Sequence, residues 1–288
     1  MQFAINYSPE AAELYTEGAI TFDMFKCPDW PDLIAQAQQL APTYVHFPLH
    51  AGLTADDLNA RADDIAHWLN TTDTYFVNTH LHLPDESGVS PADAETALRA
   101  HLHTLVARWG RERVIAENIP HKPHESPLRR AVVEPATIRR VVEDADCGFL
   151  LDLSHAWITA QTLGIPPRDY ISQLPVERLR ELHITGIMWL DTETYERLLK
   201  NTNVHVDWTG EQWVDHMAMT DNEWDLLAWA LDNIRQGRWG TPRTITFEYG
   251  GVGSLFRLFS KRDVIAAQVP RFMQMIHGTP TLQHEPHP

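Results

Sequence analysis

Seven segments with strand-like composition end in, or are soon followed by, Asp, Glu or His: His50, His80, Glu117, Asp152 with His155, His183, Asp215 with His216, and Glu248. A strand buried on both faces gains nothing from an ionisable group at one end, because an unpaired buried charge is costly. A ring of β/α units whose strand ends converge on one opening can use such groups together. The pattern therefore predicts an α/β fold of the (β/α)8 TIM-barrel type, with a metal centre at its mouth.

The order of elements supports this reading. Strands are expected at QFAINYS, TYVHFPLH, TYFVNTHLHLP, RVIAENIP, CGFLLDLSH, RELHITG, EQWVDHM and TPRTITFEYGG. Helices are expected over 30–40, 54–70, 91–109, 134–145, 166–179 with a break near Pro175, 192–199, 221–237 and 254–276. Thr54 and Asp57 form an approximate capping box, and Leu58, Ile65, Ala66 and Leu69 follow it at helical spacing. HKPHESPLRRAVV reads as an irregular loop, and residues 187–211 break the regular alternation. FLLDL is apolar on both faces, as a parallel sheet requires. An open doubly wound sheet is disfavoured, since no glycine-rich phosphate loop follows the first strand. GGVG at 250–253 follows the last strand instead, where it suits a phosphate or a tight turn. One domain over 1–280 and a flexible tail over 281–288 are expected.

The formal net charge of −16 argues against a nucleic-acid binder working through the phosphate backbone and against an anionic membrane surface. The two cysteines, Cys27 and Cys147, form no CxxC pair or disulfide framework, which fits a reducing, cytoplasmic setting. No apolar run is long and clean enough for a membrane span, and MQFAINYSPEAAELY lacks the form of a signal peptide. Some of the ten Trp are candidates for a ligand cleft.

Imidazoles and carboxylates converging from several strand ends suit zinc, iron, cobalt or manganese, and a carboxylate can bridge two ions. The expected metal ligands are His50, His80, Glu117, Asp152, His155, His183, Asp215, His216 and Glu248. Glu117, Glu248 and His183 are also the candidate catalytic groups. His46 and His82 are alternatives to His50 and His80, or support them. Asn118, His121, His124, His205, Asp207 and Arg257 are candidates for substrate or supporting contacts, and Lys261 could join Arg257 at an anionic substrate. On a regular strand, adjacent residues point to opposite faces, so Asp215 and His216 can share a centre only where the strand ends.

The pattern resembles the xylose-isomerase-like TIM-barrel superfamily over nearly the whole chain. The series His50, His80, Glu117, Asp152-x-x-His155, His183 and Glu248 is similar to that of the endonuclease-IV-like branch, although Asp215-His216 lacks that branch's intervening residue. LHAG at 49–52, AENIP, LLDLSHAW, LHITG and TFEYG resemble the strand-end motifs of the DUF692-like multinuclear non-heme iron enzymes. His155 stands where that family usually has Asn. The DUF692-like resemblance implies two or three metal ions, iron favoured over zinc or manganese. It also implies oxidative modification of a peptide or small molecule, often with a partner protein presenting the substrate.

Two other readings stay open. Divalent ions could serve a sugar isomerase or epimerase, or a phosphoester hydrolase of the endonuclease-IV-like type. Alternatively, the same groups could form a polar network or structural metal site in a non-enzymatic ligand-binding barrel.

Overall fold

The computed structural model describes residues 1–200, 210–253 and 256–278. Its strands are β1 (Gln2–Asn6), β2 (Met24–Pro28), β3 (Thr43–His46), β4 (Val77–His80), β5 (Val114–Glu117), β6 (Gly148–Asp152), β7 (Leu179–Ile184), β8 (Gly186–Leu190), β9 (Gln212–Met217) and β10 (Thr244–Phe247). Eight of them form one parallel sheet in the order β3-β2-β1-β10-β7-β6-β5-β4, with helices between successive strands. The expected (β/α)8 barrel is the observed fold.

The barrel is nearly closed, and the seam lies between β3 and β4. Pro48 has no N–H to donate and interrupts the strand after His46. Side chains take over the missing ladder. Phe47 N–H donates to Asn78 Oδ1 at 2.7 Å, Asn78 Nδ2 donates to Phe47 O at 2.9 Å, and Val45 N–H donates to Thr74 Oγ1 at 2.7 Å. Backbone pairing resumes further on, where His50 bridges His80 in parallel fashion.

Strand alternation sorts the side chains into two layers. Phe3, Ile5, Phe25, Cys27, Phe149, Leu151, Ile245 and Phe247 belong to the large apolar layer between sheet and helices. The intervening residues face inward and form two small clusters, Ala4 with Met24 and Tyr44, and Phe76 with Ile115 and Leu150. Two residues further along the same strands stand Lys26, His46, Asn78, Glu117 and Asp152. The barrel interior thus changes from apolar to ionisable within one layer, at the C-terminal ends of the strands.

Two strand assignments differ from expectation. EQWVDHM is not a barrel strand: β9 pairs antiparallel with β8 in a separate hairpin. The eighth barrel strand is β2, which the sequence pattern hides because one of its inward positions carries Lys26 and it ends in Pro28. Helices differ as well. DLSH runs from strand directly into a helix, Leu153–Leu163, and HKPHESPLRRAVV contains the helix Pro127–Val132, capped by Ser126. The expected helix over 54–70 is divided at Arg61 into Ala55–Ala60 and Ala62–Thr71, with the Thr54–Asp57 capping box formed. The last helix begins at Arg262. The expected tail over 281–288 lies outside the described residues.

Candidate metal centre

Parallel registration brings the ionisable strand ends together. His80 pairs with Glu117, Asp152 with His183, and Thr246 with His183, two residues before Glu248. Glu117 Oε2 faces His46 Nε2 at 3.3 Å and His80 Nε2 at 3.2 Å. Its other oxygen lies 3.7 Å from His155 Nδ1. On the opposite side, His183 Nδ1 faces Glu248 Oε1 at 3.0 Å.

Among the described residues, three overlapping groups could each hold a metal ion: His46, Glu117 and His183; Glu117, Asp152 and His155; and Asp152, His183 and Glu248. Within each group the donor atoms lie within 4.8 Å of one another. The unsatisfied atoms fit a metal. Glu117 Oε2 and His183 Nδ1 are buried without a hydrogen-bond partner, although other donor atoms surround them. Buried polar atoms are rarely left unpaired, and lone pairs converging without a proton between them suit a shared cation.

Charge is balanced locally. Burial works against ionisation of Glu117, but His80 and His46 beside it hold its carboxyl well below the usual range. Burial would keep His155 neutral, yet Asp152, Asp215 and Glu117 raise its pKa to about 10. His155 Nε2 reaches Asp215 Oδ2 at 3.1 Å, and Asp152 Oδ1 accepts the His155 N–H at 2.8 Å as the cap of the following helix. Burial lowers His46 to about 3, assisted by Lys26.

The adjacent pair Asp215-His216 reaches the mouth through a backbone irregularity. The β8–β9 register jumps from Gly186↔Met217 to Met188↔Val214, so Asp215 and His216 together oppose Ile187. His216 has φ 63°, in the left-handed region. Such a bulge re-aims side chains. Asp215 meets His155, while His216 lines a cleft with Lys26, His46 and His80. Gly186 is required here, because a Cβ would collide with the Ala218 carbonyl.

The other candidates take different positions. His50 accepts the Gly52 N–H at Nδ1 (3.2 Å) and packs against His82, outside the three donor groups. Arg129 donates to His82 Nδ1 at 2.6 Å. Asn118 clamps β5 to β6: its Nδ2 donates to Asp152 O and its Oδ1 accepts the Asp152 N–H, both at 2.9 Å. His121 pairs with Glu125, whereas His124 and Arg257 are exposed. His205 and Asp207 lie outside the described residues. At 250–253, the Gly250 backbone bonds to His216 and the Gly251 N–H is taken by Ser260.

Four residues near the centre, Lys26, Glu181, Tyr44 and Thr246, are not among the candidates from sequence. Lys26 donates from Nζ to Glu248 Oε1. Below it, Glu181 Oε1 lies 2.7 Å from His183 Nε2 and accepts the Tyr44 hydroxyl proton at 3.0 Å; Thr246 Oγ1 lies 2.8 Å from that hydroxyl. Burial pushes Glu181 up to about 7. The sequence signal was present in ELHITG, where Glu181 and His183 sit two apart and share a face. The centre opens into a cleft of about 320 Å³, with Trp30, Phe256, Tyr7 and Val252 among its walls and Lys26, His46, His80 and His216 also lining it.

Residues 101–237 match the model of the MbnB/TglH/ChrH family, described as RiPP precursor modification enzymes. That stretch contains Glu117, Asp152, His155, His183, Asp215 and His216, while Lys26, His46, His80 and Glu248 lie outside it. A UPF0276 protein of Acaryochloris marina is 31% identical over 74 residues, 26% of each chain. One of Alcanivorax borkumensis is 41% identical over 49 residues, 17% of this chain and 16% of that one. The chain thus aligns with about a quarter or less of the length of these curated relatives.

Solved structures share the fold at low identity. D-Psicose 3-epimerase from Clostridium cellulolyticum H10 superposes with a TM-score of 0.54 at 11% identity, covering 95% of this chain and 97% of that one. A xylose isomerase domain protein from Planctomyces limnophilus gives 0.53 at 11% identity, covering 95% of each. A fusion of a xylose isomerase-like TIM barrel with 4-hydroxyphenylpyruvate dioxygenase gives 0.57 at 16%, covering 98% of this chain and 45% of that one. The chain is a TIM barrel that shares its fold with these structures and is similar, over about a quarter of its length or less, to UPF0276 proteins and, over 101–237, to the RiPP precursor modification enzymes of the MbnB/TglH/ChrH family.

Proposed function

We propose that this chain is a multinuclear iron enzyme that oxidatively modifies a residue of a peptide. The observation that carries the reading is the overlap of three donor groups through Glu117, Asp152 and His183, which suits adjacent ions sharing carboxylates. His80, Glu117, Asp152, His155, His183, Asp215 and His216 are the proposed ligands, and Glu248 completes the third donor group. His46 joins them in place of His50, since its Nε2 stands at Glu117. Iron is favoured over zinc or manganese by the family likeness.

Bound iron would supply electron transfer to dioxygen. The remaining work falls to the chain. Glu117 lies between the His46–His80 pair and His155, and its two oxygens would help to hold metal on either side. Asp215 fixes the His155 ring through Nε2, and that imidazole would have to be neutral to hold an ion. Trp30, Phe256 and Val252 give the cleft an apolar wall for a peptide side chain. The two cysteines are free and buried, which fits a reducing compartment. A partner protein presenting the peptide is part of the proposal. No described helix is long and apolar enough to cross a membrane.

The test is to incubate iron-loaded protein, in air and under nitrogen, with thiol-containing peptides and follow peptide mass and oxygen uptake. The expected result is an oxygen-dependent mass change. Metal-dependent sugar epimerisation with no oxygen uptake would replace this reading with the isomerase one.

A further inference from the structure

Lys26 stands where it can alter the centre. It points inward from β2, level with Asn6 of β1 and Tyr44 of β3, and its Nζ donates to Glu248 Oε1. Both side chains are buried, at 10% and 6% exposure. That same carboxylate oxygen faces His183 Nδ1 at 3.0 Å. The ammonium is therefore at the edge of the donor group formed by Asp152, His183 and Glu248. The other two groups contain neither Lys26 nor its partner Glu248, and they share Glu117.

We propose that Lys26 serves as a built-in cation that holds Glu248 and closes the Asp152–His183–Glu248 group to a third metal ion, so that this chain carries a dinuclear centre bridged by Glu117. The inference rests on the multinuclear reading above and specifies its nuclearity. The physical argument is competition for one oxygen. An ammonium and a divalent ion on the same buried carboxylate repel each other where solvent screening is weak. The ammonium is covalently tethered and available at no cost in dilution, whereas an ion must be recruited from solution and stripped of water. A neutral side chain at position 26 would remove that competitor and leave three potential ligands for an incoming ion.

The test is ferrous iron content after anaerobic loading of metal-free full-length protein, gel filtration and elemental analysis. The wild type is expected to hold about two ions per chain. Lys26→Met is expected to hold about three, and Glu248→Gln about two, because Glu248 engages Lys26 and not a metal. A wild type holding about three ions, or a Lys26→Met protein still holding about two, would overturn the inference. Should Lys26→Met fail to fold, Glu248→Gln decides: unchanged content supports the proposal, and loss of one ion refutes it. A wild type with one ion or none overturns the multinuclear reading and this inference with it.

Discussion

His46 Nε2 stands 3.3 Å from Glu117 Oε2, and neither His46 nor Glu117 is reached by His50, four residues further along the same segment. Pro48 separates the two histidines. It ends the strand, leaves His46 on the inward face, and carries His50 out to the seam, where its backbone bridges His80. The expected effect of substitution follows. His46→Ala should weaken metal binding by more than about 100-fold, while His50→Ala should change it by less than about tenfold. Competition with a coloured chelator measures both. Equal losses in the two variants would contradict the geometry.

Metal uptake should release a proton from His155. Its pKa is about 10 in the ion-free protein, because Asp152, Asp215 and Glu117 together outweigh the effect of burial. A ligating imidazole must be neutral. Apparent affinity should therefore rise roughly tenfold per pH unit through this proton as pH increases toward about 10. The sign for stability of the ion-free protein is opposite. A raised folded-state value contributes stability that is fully present below the unfolded value, roughly 6.5, and is lost as pH rises through about 10. Calorimetric titration in two buffers of different ionisation enthalpy counts the proton. His155→Asn should abolish that proton's share.

Glu181 should act on the metal through His183. Its carboxylate lies 2.7 Å from His183 Nε2, which leaves Nδ1 to face Glu248. A second partner of this kind sets the tautomer and ring orientation of a ligating histidine. Glu181→Gln should lower metal affinity roughly 10–100-fold, and Tyr44→Phe should cost about 1 kcal/mol of stability with a smaller effect on metal. Chelator competition and chemical unfolding of the same samples separate the two effects. Unchanged affinity in Glu181→Gln would remove Glu181 from the account.

The hairpin that carries Asp215 and His216 depends on close backbone approach at Gly186. A methyl group there would strike the Ala218 carbonyl, which is backbone and cannot rotate away. Gly186→Ala should cost roughly 2–4 kcal/mol. Gly18→Ala is the control: its φ is +70° but nothing lies near the would-be Cβ, so roughly 1 kcal/mol is expected. Thermal unfolding of both variants checks the order.

Trp30 and Phe256 should serve substrate and not metal. Both line the cleft, and both are unusually exposed for large apolar residues, at 48% and 37%. Trp30→Ala should raise KM roughly tenfold or more while leaving metal content unchanged. A loss of metal in this variant would assign the tryptophan a structural role instead.

Much of this was legible in the sequence because the centre lies at strand ends, where a charge after an apolar run is conspicuous. Glu117, Asp152, His155, His183 and Glu248 all carry that signature, and all fall at the barrel mouth. Lys26 did not, since its strand has only five residues, ends in proline and shows an inward charge where a core residue is expected. The choice between His46 and His50 depended on where Pro48 broke the strand, which spacing alone leaves open. The strand composition of EQWVDHM points to a barrel strand carrying Asp215 and His216. Their hairpin is set by antiparallel pairing with β8, a partner within the segment 187–211 whose rhythm is irregular. Glu181 lies one step below the mouth; its spacing from His183 in ELHITG puts both on one face, but its hydrogen bond from Tyr44 depends on a strand distant in sequence.

The most direct test of the central claim is the metal content of untagged protein purified without oxygen, with an absorption spectrum taken before and after admitting air. The account predicts about two irons per chain and a spectral change that depends on air. One tightly held zinc in a closed site, with no change in air, would contradict it.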